Sequence, residues 1–193
     1  MTREEQKQRT RDAILFAARG LFVAKGYTAT TVDAIARAAG VSRQGFYLHF
    51  RGKGSIVVEI MQSIGPEIAA AYQDLDGIEE PDMAKVRAWL DGHADLWRRY
   101  RMEFTAMEQA LADEDEVAAA WYGFYGELAN RMPRAMVSQL RAGASESLAR
   151  ARLTTAAMAV DRAFHFLILR GHAQDYDADA TALAERLVTV LTR

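Results

Sequence analysis

Residues 30–53, TTVDAIARAAGVSRQGFYLHFRGK, decide the reading of this chain. Val32, Ile35, Ala36 and Ala39 form the apolar stripe of one short helix, which Thr30 or Thr31 can cap. Gly40 turns the chain, Val41 serves as an apolar pin, and Ser42 is placed to cap a second helix whose Phe46 and Phe50 face inward. A small residue in the first helix, a glycine turn and polar side chains opening the second are what a helix-turn-helix needs. The arrangement suits a helix that enters the major groove of DNA. Arg43 can pair with guanine edges or with phosphate, and Gln44 bidentately with adenine. Gly45 lets the backbone approach a base or a methyl group. Tyr47, His49 and Lys53 read as phosphate contacts that fix register. Thr31 adds another through its hydroxyl and the open N–H groups beside it.

Working outward, Ile14, Ala17, Ala18, Leu21 and Phe22 mark one face of a first helix over about Glu4–Lys25, stopped by Gly26. The rest of the chain reads as longer helices. Ile56, Ile60, Ile64, Ile68 and Tyr72 run at four-residue steps, and Gly65-Pro66 is expected to kink or break that helix. Further helices are expected over about 82–101, 103–111, 117–143 (with Pro133 as a second kink), 147–171 and 178–192. The expectation is an all-α fold of about nine helices: a three-helix head over residues 1–55 on a larger helical body over 56–193.

Charge divides at the same place. Residues 1–55 hold ten Lys/Arg against four Asp/Glu, and residues 56–193 hold fourteen against twenty-two. A basic head on an acidic body points to a polyanion partner for the head alone. With no cysteine there is no disulfide framework, thiolate metal site or cysteine nucleophile. The N-terminus lacks the apolar core of a signal peptide, and nowhere do 18 apolar residues run without a charge, so a cytoplasmic protein with no membrane span is expected. GFYLHFRGKGS at 45–55 fails as a phosphate loop, because it would need Gly at Tyr47 and Ser or Thr at Gly54. Helix-turn-helix geometry also occurs as plain packing in helical enzymes; the basic balance, Tyr47-x-His49-Phe50 and Lys53 weigh against that here.

On Phe22-x-x-x-Gly26-Tyr27, Thr31-Val32-x-x-Ile35-Ala36-x-x-Ala39-Gly40-Val41-Ser42 and Phe46-Tyr47-x-His49-Phe50-x-x-Lys53, the chain resembles the TetR family of bacterial transcriptional regulators over roughly residues 8–58. The resemblance carries DNA-binding roles to Thr31, Ser42, Arg43, Gln44, Gly45, Tyr47, His49 and Lys53. Two positions depart from the family pattern. Gly54 stands where an acidic residue is usual, which is expected to loosen the start of the fourth helix, and Gly45 stands where a larger residue is usual.

The resemblance also implies an inducer cavity in the body. Trp89, His93, Trp97, Phe104, Trp121, Phe124, Tyr125 and Phe164 are the residues expected to line it, for a small, largely apolar ligand. His93, Glu127, Asp161 or His165 would anchor its polar groups. Taken singly, each of these rings is as well explained as core. Ala118-x-x-Trp121-x-x-Phe124 and Asp161-Arg162 further resemble the ethionamide-resistance regulator branch of the family. Surplus apolar surface on the last two helices, the eighth and ninth of the sequence reading, suggests a homodimer, with one stripe over Leu153, Ala156, Val160 and Leu167 and another over Met158, His165 and Leu169. The alternative is that these stripes cover the body's own core. A two-fold dimer would present two recognition helices to a palindromic operator. The function expected is a dimeric repressor released by its ligand. A DNA-binding regulator without an inducer is the alternative, and a helical enzyme a distant third, since no nucleophile–base pair, metal site or cofactor motif is evident.

Overall fold

The computed structural model describes residues 2–172 and 175–192, and every regular element among them is helical. Ten α-helices follow in order: α1 (Arg3–Lys25), α2 (Val32–Ala38), α3 (Arg43–Tyr47), α4 (Lys53–Asp76), α5 (Met83–Arg99), α6 (Arg101–Ala110), α7 (Asp115–Asn130), α8 (Pro133–Arg141), α9 (Glu146–Phe164) and α10 (Tyr176–Thr192). A π-helical turn, His165–Leu169, extends α9. No helix among the described residues is long and apolar enough to cross a membrane. The chain divides into two compact units, Met1–Ile64 with Met102–Trp121, and Gly65–Arg101 with Tyr122–Arg193.

In the first unit, local capping writes the helix boundaries. Thr2 and Glu5 form a reciprocal capping box at the start of α1, and Gly26, at φ 80°, ends it with its N–H on the Phe22 carbonyl. Thr31, rather than Thr30, caps α2, accepting the Ala34 N–H at 3.2 Å. Gly40, at φ 70°, lets the Val41 N–H return to the Ala36 carbonyl at 2.9 Å, which closes the turn between the two helices. Ile14, Ala18, Phe22, Ile35, Phe46 and Phe50 are buried around that turn. Burial of their apolar surface holds α2 and α3, of 7 and 5 residues and too short to persist alone in water, against the longer α1.

In the second unit, α10 packs against α5, α8 and α9, and α5 against the π-helical turn. Two polar devices close the helix ends there. The buried Asp76 carboxylate accepts the Arg134 and Ala135 N–H groups at 3.0 and 2.7 Å, capping α8 from a residue far away in sequence. Arg101 donates to the Ile168 and Leu169 carbonyls at 2.5 and 2.6 Å, which a widened last turn leaves without helical partners.

Two sequence expectations are corrected. Gly65-Pro66 does not break α4. Pro66 and Gln62, whose carbonyl loses its donor, both lie on the exposed side of the helix. Gly65 is itself a contact: a Cβ there would meet the Phe124 ring at 3.4 Å. Pro133, in contrast, does divide the expected helix over 117–143. Met132 before it is non-helical, at φ −117° and ψ 62°, and Pro133 starts α8 as its first residue.

Candidate nucleic-acid interface and aromatic cluster

The short helix α3 presents Arg43, Gln44 and Tyr47 to solvent while Phe46 is wholly buried beneath them. Ser42 Oγ accepts the Gly45 N–H at 2.9 Å, so the helix start is fixed by the residue the sequence selects for it. A Cβ at Gly45 would stand 3.2 Å from that oxygen, which gives the glycine a structural reason beside its proposed closeness to a base. Thr31 caps α2 in the same way, so Thr31 and Ser42 both use their oxygens as acceptors and keep a hydroxyl proton to give.

The cations here are already partnered. Arg43 Nη1 donates to both carboxylate oxygens of Asp33, at 2.7 and 2.8 Å, and its guanidinium lies 5.8 Å from the Tyr47 ring centre. That carboxylate holds the Arg43 pKa above its ordinary value. Lys53 Nζ donates to the Tyr27 carbonyl at 3.0 Å and sits 4.2 Å from that ring, using one of its three donors. The His49 carbonyl accepts from Arg11 at 2.6 Å, Arg11 also pairs with Glu59, and His49 Nδ1 is buried without a hydrogen-bond partner among the described residues. Thr31, Ser42, Arg43, Gln44 and Tyr47 therefore share an exposed surface, whereas His49 and Lys53 are drawn partly inward.

Sequence reasoning missed a knot around Tyr27. This buried tyrosine receives the Lys53 bond, gives its hydroxyl proton to Glu114 at 2.6 Å and its backbone N–H to Gln109 Oε1 at 2.8 Å. Burial, then the Glu114 carboxylate, push the Tyr27 pKa up. The same acidic corner resolves the departure at Gly54. A Cβ there would come within 2.9 Å of Glu116 Oε1 and 3.0 Å of Glu114 Oε2, so the glycine makes room for two carboxylates at the start of α4. They supply through space the negative charge that a helix N-terminus favours. The start of α4 is not loosened, since Ser55 Oγ also accepts the Arg51 and Gly52 N–H groups at 3.1 and 3.3 Å. Only the acidic run at 113–116 hinted at this; its partner is set by folding.

The expected cavity residues fall into separate groups. Trp89, His93, Trp97 and Phe164 join one ring cluster in the second unit, together with Tyr72, which the sequence reading did not include. His93 stacks on Trp89 at 4.8 Å, Tyr72 stands edge-on to both at 5.3 Å, and Phe164 lies 5.7 Å from His93 and 5.9 Å from Trp97. Trp89 Nε1 donates to the Ala71 carbonyl at 2.6 Å. Burial lowers the His93 pKa to about 3, so the ring is neutral at pH 7, and its Nδ1 has no hydrogen-bond partner among the described residues. Phe104 and Trp121 pair edge-on at 6.3 Å in the first unit. On α7, Phe124 lies beside Gly65 and Tyr125 is buried.

On α9, Leu153, Ala157, Val160 and Phe164 point into the core, while an open groove of about 480 Å³ runs outside between α9 and α10. Ala159, Ala163, Phe166, Leu167, Leu183 and Arg186 line it, and a second hollow of about 190 Å³ continues it toward Ala156 and Val190. The spare apolar face is thus the one through Ala156, Ala159, Ala163 and Leu167. Of the other stripe, Met158 is exposed and Leu169 buried.

An exposed, capped helix behind a glycine turn is the geometry of a helix-turn-helix. Residues 14–60 match the profile described as bacterial regulatory proteins, tetR family. The HTH-type transcriptional regulator SrpR of Pseudomonas putida is 37% identical over 84 residues, 44% of this chain and 36% of that protein. TtgW of the same species, described as an uncharacterized HTH-type transcriptional regulator, is 39% identical over 88 residues, 46% of this chain and 60% of that protein. The matched stretches thus span between about a third and three-fifths of these relatives' lengths. A solved complex of SmeT with triclosan shares the fold, with a TM-score of 0.63 at 19% identity over 95% of this chain and 92% of that one. Residues 14–60 are thus similar to the bacterial regulatory proteins of the tetR family, and the chain as a whole shares the fold of solved regulators of that kind.

Proposed function

We propose that the chain is a ligand-responsive, dimeric transcriptional repressor that acts in the cytoplasm on a palindromic operator. The observation that carries this reading is the exposed Arg43-Gln44 pair at the capped start of α3, within a segment of net positive charge. Residues 1–55 form the DNA-binding head, and 56–193 sense the ligand and dimerise. Arg43 and Gln44 read bases; Thr31, Ser42, Tyr47, His49 and Lys53 hold phosphates; Gly45 keeps the backbone close. Two copies meet through α9 and α10, a reading supported by the apolar groove on their outer face.

The ligand is small and largely apolar, and of the residues expected from the sequence those of the second unit, Trp89, His93, Trp97, Phe124, Tyr125 and Phe164, are its contacts. His93 supports this choice. A buried polar atom without a partner costs about 1–3 kcal/mol, and a ligand hydrogen bond to Nδ1 would remove that penalty. Ligand binding favours a body shape in which the heads no longer match operator spacing, and DNA affinity falls by population shift. That SmeT, which shares this fold, has been solved with triclosan agrees with a small-molecule ligand here.

A second reading keeps DNA binding without an inducer. The ring-on-ring contacts around His93 favour it, since such a cluster also serves as plain core. Selection of bound sequences from random DNA, with and without cell extract, separates the two. A palindromic enriched site released by extract supports the first reading. A site indifferent to every small-molecule fraction supports the second, and no enriched site defeats both.

A further inference from the structure

Beyond the residues that touch DNA, we propose that Asp33 tunes sequence selection by holding the Arg43 guanidinium in reserve, releasing it only where the duplex offers two acceptors in exchange. This rests on the DNA-binding reading above. The pair spans the turn, from the second residue of α2 to the first of α3, with Nη1 of Arg43 at 2.7 and 2.8 Å from the two Asp33 oxygens. Both side chains are open to an approaching duplex, at 63% and 53% exposure. Asp33 is one of only four acidic residues among the first fifty-five, and it stands two positions after Thr31, where a phosphate is expected. An unneutralised carboxylate at that place repels the DNA backbone.

The exchange discriminates between duplexes. A guanine edge presents N7 and O6, two acceptors that replace the two carboxylate oxygens; an adenine edge presents one acceptor beside a donor. At a guanine, Arg43 leaves Asp33 and recovers both hydrogen bonds. Elsewhere it stays with Asp33, so the surface offers one cation fewer and indiscriminate binding weakens. The contact lies in water and its effect is small, a matter of a few-fold.

The test begins with the operator that the parent protein enriches from random duplexes. Parent, Asp33→Asn, Arg43→Ala and the double variant are then titrated with that operator, with the operator in which the selected G·C pair becomes A·T, and with a scrambled duplex. Asparagine keeps the size and one acceptor while removing the charge. With Arg43 present, Asp33→Asn is expected to tighten the altered and scrambled duplexes about five-fold more than the operator. In the Arg43→Ala background it should tighten all three by one common factor. Equal tightening of all three with Arg43 present would reduce Asp33 to an ordinary surface charge and overturn the proposal. If the parent enriches no sequence, the DNA-binding reading beneath it fails instead.

Discussion

At α2 and α3 each capping hydroxyl is held by a neighbour three residues away: Thr31 by the Ala34 N–H, Ser42 by the Gly45 N–H. Around His93 the holding groups come from α4, α5 and α9, and they are rings rather than hydrogen bonds. The first surface is built by short-range rules and stays open to water. The second is built by burial and leaves a polar nitrogen inside it. The helix starts of an exposed site can therefore be specified locally. A buried one can be specified only by what the fold brings together.

The largest expected effect tests whether the head depends on its small core. Phe46→Ala removes a wholly buried ring and is expected to cost about 3–5 kcal/mol in chemical denaturation, with loss of DNA binding. Retention of operator affinity would show that capping alone holds α3. Next comes the division of labour on the exposed surface. Arg43→Ala should relax base preference at one position by about 1–3 kcal/mol. Lys53→Ala should weaken all sequences alike and reduce the salt slope by about one. If Lys53→Ala instead lowers stability without changing the salt slope, its bond to Tyr27 is its whole role.

The buried counterpart is probed by pH. The His93 pKa is depressed to about 3 in the folded protein. Its unfolded value is about 6.5, so below that pH the unfolded chain binds a proton that the folded one refuses. The stability present above pH 6.5 is therefore lost progressively as pH falls toward 3, and at pH 5 the loss amounts to about 2 kcal/mol. His93→Gln should flatten the stability profile between pH 7 and 5 relative to the parent. Parallel profiles would mean that the imidazole is solvated. The smallest effect is at the Tyr27 knot, where Tyr27→Phe deletes the bond to Glu114 and should cost about 1 kcal/mol in thermal unfolding.

Much of the head was legible in the sequence. The Gly26 and Gly40 stops, the Ser42 cap and the inward Phe46 and Phe50 all follow from local stereochemistry and helical spacing. The limits of legibility are equally local. Gly65-Pro66 read as a kink or a break because proline removes a hydrogen bond; α4 stays unbroken through it, with Pro66 on the exposed side. Gly54 read as a weakness at the head of α4, since the two carboxylates that fill its place lie some sixty residues further on. Asp33 was passed over because nothing in its spacing from Arg43 signals a contact across the turn.

The sequence by itself determined an all-helical chain, a helix-turn-helix over residues 31–53 and the polar side chains that open its second helix, because caps, glycine stops and helical periodicity act over a few residues. Tertiary structure alone decided that Arg43 is shared with Asp33, that Tyr27 is tied to α6 and to Glu114 just before α7, and that His93 is a neutral ring among Tyr72, Trp89 and Phe164. Those outcomes depend on which distant groups share a low-dielectric interior or meet across a turn, and composition is the same whether or not they meet.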